Sequence, residues 1–170
     1  MRIGIDFDNT ISNYDECFKF LAKKYNYIEA DNTKVTKKEI KSKILKESNG
    51  IKKWMTIQGL AYGKYINKAN LNQDFLRFLS ILRSRNYIIY IISHKTEFGH
   101  FDDKKISLRS SALRWMRNKK ILNKITGIKK SNIFFANTRE EKISIVNKLK
   151  CNYFIDDLKE VLNHKNFPKQ

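Results

Sequence analysis

Residues 3–11 read IGIDFDNTI. An apolar run stops abruptly at two carboxylates. Residues 2–7 (RIGIDF) therefore predict a short buried strand ending in acidic side chains. A second strand is predicted at 87–92 (YIIYII), a continuous apolar and largely β-branched stretch. Such a run fits a strand covered on both faces, as in a parallel sheet. Residues 132–136 (NIFFA) and 151–155 (CNYFI) supply a third and a fourth. Helical periodicity fills the intervals. Residues 14–25 place Phe18, Leu21 and Ala22 on one face, and 71–85 carry Phe75, Phe78, Leu79 and Leu82. Residues 106–119 carry Ile106, Leu113, Trp115 and Met116, with further helices expected over 140–149 and 157–163. Strands alternating with helices predict an α/β fold, a Rossmann-like parallel sheet with helices on both faces.

The spacing is uneven. Roughly 80 residues separate the first two strands, far more than one crossover helix requires. Residues 14–72 are read as a small helical cap inserted after the first strand, and 1–13 with 73–170 as the core domain. Within the insertion, Thr36 and Glu39 have capping-box spacing and start a helix over 37–48, which Asn49-Gly50 stops. Trp54, Ile57, Leu60, Ala61 and Tyr65 then recur at helical spacing across 51–69. The tail, 164–170, is expected to fray.

A chain of 170 residues suits one domain with a small insertion and buries a core without disulfide staples. Two cysteines, Cys17 and Cys151, are too few for a disulfide scaffold and fit the cytoplasm. Membrane association is not expected, because no apolar run approaches the roughly 20 residues that span a bilayer. The opening residues lack signal-peptide architecture. The formal net charge of +18 invites a nucleic-acid reading. However, 27 of the 35 basic residues are Lys and only 8 are Arg, and 22 Ile and 17 Asn accompany them, as AT-rich coding would write. Arg is the better residue for bidentate phosphate or base contacts. A nucleic-acid partner is therefore possible but not favoured, and attraction of a small anionic substrate explains the charge as well. Oligomeric state is not legible.

Ligands of open parallel sheets bind at the carboxyl ends of strands. The first strand is followed by Asp6, Asp8 and Thr10, and the second by Ser93, His94 and Lys95. The third leads to Asn137, Thr138 and Lys142, and the fourth to Asp156 and Asp157. Several carboxylates gathered at one edge need a cation, and hard oxygen ligands suit Mg²⁺. One carboxylate of the Asp6/Asp8 pair would attack phosphorus while the other handles protons. A lysine at a helix start and a strand-end hydroxyl would bind phosphoryl oxygens.

In this order the motifs resemble the haloacid dehalogenase (HAD) superfamily. Its opening strand–DxDxT motif is matched by residues 3–11, and its strand-closing Ser or Thr by Ser93 in IIYIISHK. Lys142 in TREEKISIV matches the third motif, and Asp156 and Asp157 in YFIDDLKEVL match the fourth. The resemblance implies that Asp6 is the nucleophile and Asp8 the general acid and then base. A second Asp two residues after the nucleophile is similar to the phosphatase branch rather than the dehalogenases. The implied Mg²⁺ ligands are Asp6, the Asp8 backbone carbonyl and Asp156, with Asp157 either a ligand instead or a carboxylate behind them. Thr10, Ser93 and Lys142 would bind phosphate, and His94 and Lys95 would contact the substrate. Asn9 stands where the motif often has Gly, and Asn tolerates the same turn.

The expectation is thus a Mg²⁺-dependent phosphatase acting on a small phosphorylated metabolite, a sugar phosphate or nucleotide. WMTIQGLAYG (54–63) and SHKTEFGHFD (93–102) are also similar to uncharacterised HAD-type hydrolases, some in bacterial surface-polysaccharide loci. A nucleic-acid end phosphatase or nucleotidase is the alternative, and a non-catalytic binding module a third. Trp54, Tyr62 and Tyr65 are read as packing within the insertion, with an aromatic platform for a base or sugar as the other reading. Asp102 and Asp103 are read as loop carboxylates, and Cys17 and Cys151 as core.

Overall fold

The computed structural model describes residues 1–29 and 34–168. Four parallel strands form the main sheet: β1 (Arg2–Ile5), β4 (Ile88–His94), β5 (Ile133–Ala136) and β6 (Tyr153–Ile155), in the order β5-β4-β1-β6. Two short strands, β2 (Ser12–Asn13) and β3 (Asn70–Leu71), form a separate pair. The helices are α1 (Asp15–Lys24), α2 (Lys37–Leu45), α3 (Gly50–Tyr62), α4 (Phe75–Ser84), α5 (Leu108–Asn118), α6 (Arg139–Lys148) and α7 (Lys159–Leu162). Among the described residues, no helix is long and apolar enough to cross a membrane.

The chain divides into two compact units. One comprises Met1–Ser12, Leu71–Thr96 and Leu113–Gln170, and the other Asn13–Asn70 and Glu97–Ala112. Residues 97–112 thus group with the helical insertion, whereas their sequence was read with the core. Within that unit Gly99 lies so close to α3 that an added Cβ would stand 2.8 Å from the Gly59 Cα. Two glycines permit a backbone contact that periodicity does not reveal.

In the sheet unit, register sorts the residues by face. Ile3 pairs with Ile89 and Tyr153, and Gly4 with Tyr90 and Phe154. Ile89 and Ile91 are buried on one face, where Phe7 meets Trp115 of α5 edge-on at 5.4 Å between centroids. Tyr90 and Ile92 face the other way and pack with Ile145 and Val146 of α6, together with Leu149 and Phe154. Burying each large apolar side chain contributes roughly 1.5–3 kcal/mol. From β1 the chain runs outward through β4 to β5, then returns across β1 to β6. With right-handed crossovers this reversal puts α6 on the face opposite α4 and α5.

The helical unit has its own core. Phe18 stacks on Trp54 at 5.2 Å, and Tyr62 meets Tyr14 and Phe18 edge-on. These rings are packing, and Trp54 is only 6% exposed, which removes it as an open aromatic platform. Thr36 and Glu39 form both halves of the capping box that starts α2. Asn49-Gly50 stands at a helix start rather than a stop. α2 already ends at Leu45, and Gly50 opens α3 behind Asn49 at φ 56°. A Cβ at Gly50 would lie 2.5 Å from the Ile44 carbonyl oxygen, so the corner itself requires glycine. The 51–69 periodicity breaks after Tyr62, with a 3₁₀ turn at Ile66–Lys68.

The expected tail fraying does not extend to its described part. Asn147 Nδ2 donates to the Asn166 carbonyl at 2.9 Å, and Phe167 packs on Phe154 at 6.1 Å. Residues 169–170 lie outside the described residues.

Candidate active site

Strand order reverses at β1, so the crevice between the carboxyl ends of β1 and β6 is the switch point at which such sheets bind ligands. Asp6 directly follows β1, and its N–H donates to the Ile155 carbonyl at 2.8 Å, extending the ladder by one residue. Asp156 and Asp157 directly follow β6. The sequence places these carboxylates because Asp6 and Asp156 are the first polar residues after their apolar strands and Asp157 follows directly.

Lys142 joins the two strand ends. It lies in the first turns of α6, whose N-cap Thr138 accepts from the Glu141 N–H, while Glu141 Oε2 accepts from the Asn137 N–H at 2.6 Å. Lys142 is 2% exposed, and its Nζ donates to Asp6 Oδ1 at 2.5 Å and to Asp156 Oδ2 at 2.6 Å. Asp156 Oδ1 accepts from the Leu158 N–H at 2.9 Å. Asp157 accepts from Asn9 Nδ2 at 3.1 Å. Burial raises the Asp6 carboxyl to about 7; Lys142 opposes the rise and the neighbouring Asp8 adds to it. Burial also raises Asp157.

One carboxylate oxygen from each of Asp6, Asp156 and Asp157 lies within 4.8 Å of the others. This all-oxygen set matches a hard divalent cation such as Mg²⁺ in donor type.

Asp8 belongs to a loop held at both ends. The Phe7 carbonyl accepts from the N–H groups of Ile11 and Ser12 and from the Ser12 hydroxyl, all at 3.0 Å. Asn9 adopts φ 62°, the left-handed turn that glycine otherwise supplies. Asn72 Nδ2 donates to the carbonyls of Asn9 at 3.2 Å and Thr10 at 2.6 Å. Asn72 was missed in the sequence because its partners lie more than 60 positions away in the chain, and an isolated Asn carries no signal.

Lys95 lies at the same edge, its N–H donating to the Ala136 carbonyl at 2.9 Å. Its side chain is buried, and Nζ reaches both oxygens of Asp8, at 3.0 Å and 2.8 Å. Lys95 is therefore directed at the second carboxylate of the DxD pair, a geometry its position in the sequence does not show. His94 points elsewhere. Its Nε2 lies 2.9 Å from the Asn137 carbonyl, a bond that places a hydrogen on Nε2. Ser93 is two residues past Ile91, the register partner of Ile5, and so stands at the edge where Asp6 and Phe7 lie. Among the described residues, the hydroxyls of Ser93 and Thr10 are buried without a hydrogen-bond partner. Leaving such a group unsatisfied costs about 1–3 kcal/mol, so each calls for a partner, water or a ligand.

Residues set aside as structural have structural partners. Asp102 accepts from the N–H groups of Lys104 and Ile106. Cys17 and Cys151 are buried and free of disulfides.

Fold and site together define a class: an α/β protein with a carboxylate–lysine centre at the switch point of a parallel sheet. No family model matches the chain, and no curated protein matches it. Among solved structures it is similar to the crystal structure of a HAD-superfamily hydrolase from Ehrlichia chaffeensis, with 14% identity, covering 95% of this chain and 80% of that chain at a TM-score of 0.48.

Proposed function

We propose that this chain is a Mg²⁺-dependent phosphatase that hydrolyses a phosphomonoester of a small metabolite, such as a sugar phosphate or nucleotide, through an aspartyl-phosphate on Asp6. The observation that carries the reading is the pair of buried, unpartnered hydroxyls, Thr10 and Ser93, at the edge that holds Asp6 and Asp8. Phosphoryl oxygens are the acceptors that such hydroxyls lack.

In this reading an Asp6 carboxylate oxygen attacks phosphorus as the bond to the leaving oxygen breaks. Asp8 gives that oxygen its proton. Asp8 then takes a proton from water, whose oxygen attacks the phosphoryl group, releasing inorganic phosphate and restoring the Asp6 carboxylate. Lys95 holds the Asp8 carboxylate through both oxygens. Lys142 holds Asp6 against Asp156 and presents positive charge to the transferring group. Asp6, the Asp8 carbonyl and Asp156 would hold Mg²⁺, with Asp157 beside them. When bound, the ion polarises phosphoryl oxygens and offsets their repulsion from the nucleophile.

The test is phosphate release from an aryl phosphate, sugar phosphates, nucleotides and a 3′-phosphorylated oligonucleotide, with and without Mg²⁺. Wild type should turn over a small phosphomonoester only with the metal, EDTA should abolish release, and folded Asp6→Asn should be silent. Turnover by folded Asp6→Asn refutes the nucleophile assignment. Undiminished turnover after metal removal refutes the metal assignment. Preference for the oligonucleotide selects the end-phosphatase reading instead.

A further inference from the structure

The carboxylates occupy the carboxyl edge of the sheet. At its opposite edge, where β4 and β5 begin, the sheet unit carries a cavity of about 790 Å³ that is widely open to solvent, with the charged side chains on its rim exposed. β4 runs seven residues between the two edges, roughly 20 Å of strand. Among the residues lining the cavity are five cations: Arg83, Arg117, Lys124, Lys129 and Lys130. No Asp or Glu lines it, and none of the five is in an ion pair among the described residues.

The chain is rich in lysine everywhere, so number alone decides nothing. Arg83 and Arg117 lie in the last turns of α4 and α5, where the helix macrodipole favours a cation. That accounts for two of the charges and leaves the three lysines unexplained. Arg83 lies against one wall of the cleft. Gly127 has φ 73°, and a Cβ there would lie 3.1 Å from Arg83 Nε and 3.2 Å from Cζ. The left-handed φ calls for glycine here by itself, and the exposed Arg83 side chain lies beside this turn. Asn123 and Thr126 hold this loop, with Asn123 Oδ1 accepting from the N–H groups of Ile125 and Thr126, and Thr126 Oγ1 donating to the Ile121 carbonyl.

We propose that this cavity is a binding site for a small molecule carrying two or more phosphoryl groups. Its volume lies within the roughly 300–1,000 Å³ of small-molecule sites. Two guanidiniums supply forked donors suited to phosphoryl oxygens. Five unopposed positive charges match a polyphosphate better than a single phosphate. A single-stranded nucleic acid would call for an extended basic groove with a series of stacking rings. Here the lining holds one aromatic residue, Tyr87. The site stands independently of the phosphatase reading.

The test titrates the whole chain, in EDTA, with sodium tripolyphosphate, ADP and inorganic phosphate, followed by calorimetry and backbone amide shifts. Tripolyphosphate should move the amides of Gly127 and Asn132 and bind at least about tenfold more tightly than phosphate. Arg83→Gln/Arg117→Gln should weaken it at least about tenfold. Lys23→Gln/Lys46→Gln removes equal charge from the helical unit and should change affinity less than about twofold. Circular dichroism and melting of each variant report its fold. Equal losses in the two charge variants would mean non-specific attraction and overturn the proposal. Absence of the Gly127 and Asn132 shifts overturns it, as does binding of a single-stranded oligonucleotide at this face in preference to tripolyphosphate.

Discussion

Replacing Lys142 by Met keeps the length of the stem and removes the charge. Two carboxylates that share one buried ammonium at 2.5 Å and 2.6 Å are then left without it. Asp6 and Asp156 have side-chain exposures of 6% and 0%, so water does not replace the lost partner. Breaking a buried ion pair from one side costs about 3–5 kcal/mol. For a chain of this size each kcal/mol moves Tm by about 2–4 °C, so Lys142→Met should lower Tm by roughly 6–20 °C in metal-free buffer. The loss should depend on pH. The Asp6 carboxyl is raised to about 7 in the folded protein, so its contribution to stability is complete below its ordinary value and is lost as pH rises through about 7. Lys142 restrains that rise, and without it the carboxyl climbs further. The deficit should be largest near pH 8 and at most about half as large near pH 5, where Asp6 is neutral in both proteins. Mg²⁺ should restore part of the lost Tm. Urea unfolding and thermal scans in EDTA, at both pH values, make the measurement. A deficit below about 1 kcal/mol near pH 8, or one that grows on acidification, would refute the account of a shared buried charge.

Three further outcomes follow from particular contacts. Lys95→Met should lower kcat by about tenfold to a hundredfold on an alkyl phosphate but less on an activated aryl phosphate, which needs little leaving-group protonation; equal losses on both would count against Lys95 acting through Asp8. Gly4→Ala should cost about 1–3 kcal/mol in urea unfolding, because the new Cβ would meet Phe154 Cδ2 at 2.6 Å and Cys151 Sγ at 3.2 Å. Cys17 should not react with a disulfide reagent near pH 8 in the native protein, since burial pushes its thiol to about 12 and it donates to the Tyr65 carbonyl at 3.3 Å, but it should react in guanidinium; rapid native labelling would contradict the packing.

Much of this was legible in the chain because strands announce themselves locally. The stretch YIIYII marks β4, and the first polar residues beyond each apolar run are the groups at the carboxyl edge. Pairing is not local. That Lys95 binds Asp8, and Asn72 the carbonyls of Asn9 and Thr10, follows only once β4 lies beside β1 and the chain has returned from the insertion. The share of 97–112 in the helical unit was hidden for a related reason: its mark is a glycine that approaches another glycine. Asn49-Gly50 was misread because the same dipeptide that halts one helix also permits the tight corner that starts the next. The place of Lys142 at a helix start was legible, but its two partners depend on β6 returning across β1.

The place of β6 also has a consequence for synthesis. Asp6 is synthesised well before β6, so it gains its ladder bond to Ile155 and its companions Asp156 and Asp157 only after the insertion, β4, β5 and α6 have emerged. Contacts closing so long a loop form slowly, and domains tend to fold as units. A nascent chain stopped before β6 would expose the Asp6 carboxylate without its site. In the proposed reading, activity would therefore arrive only with β6, and a chain released short of it would be inert.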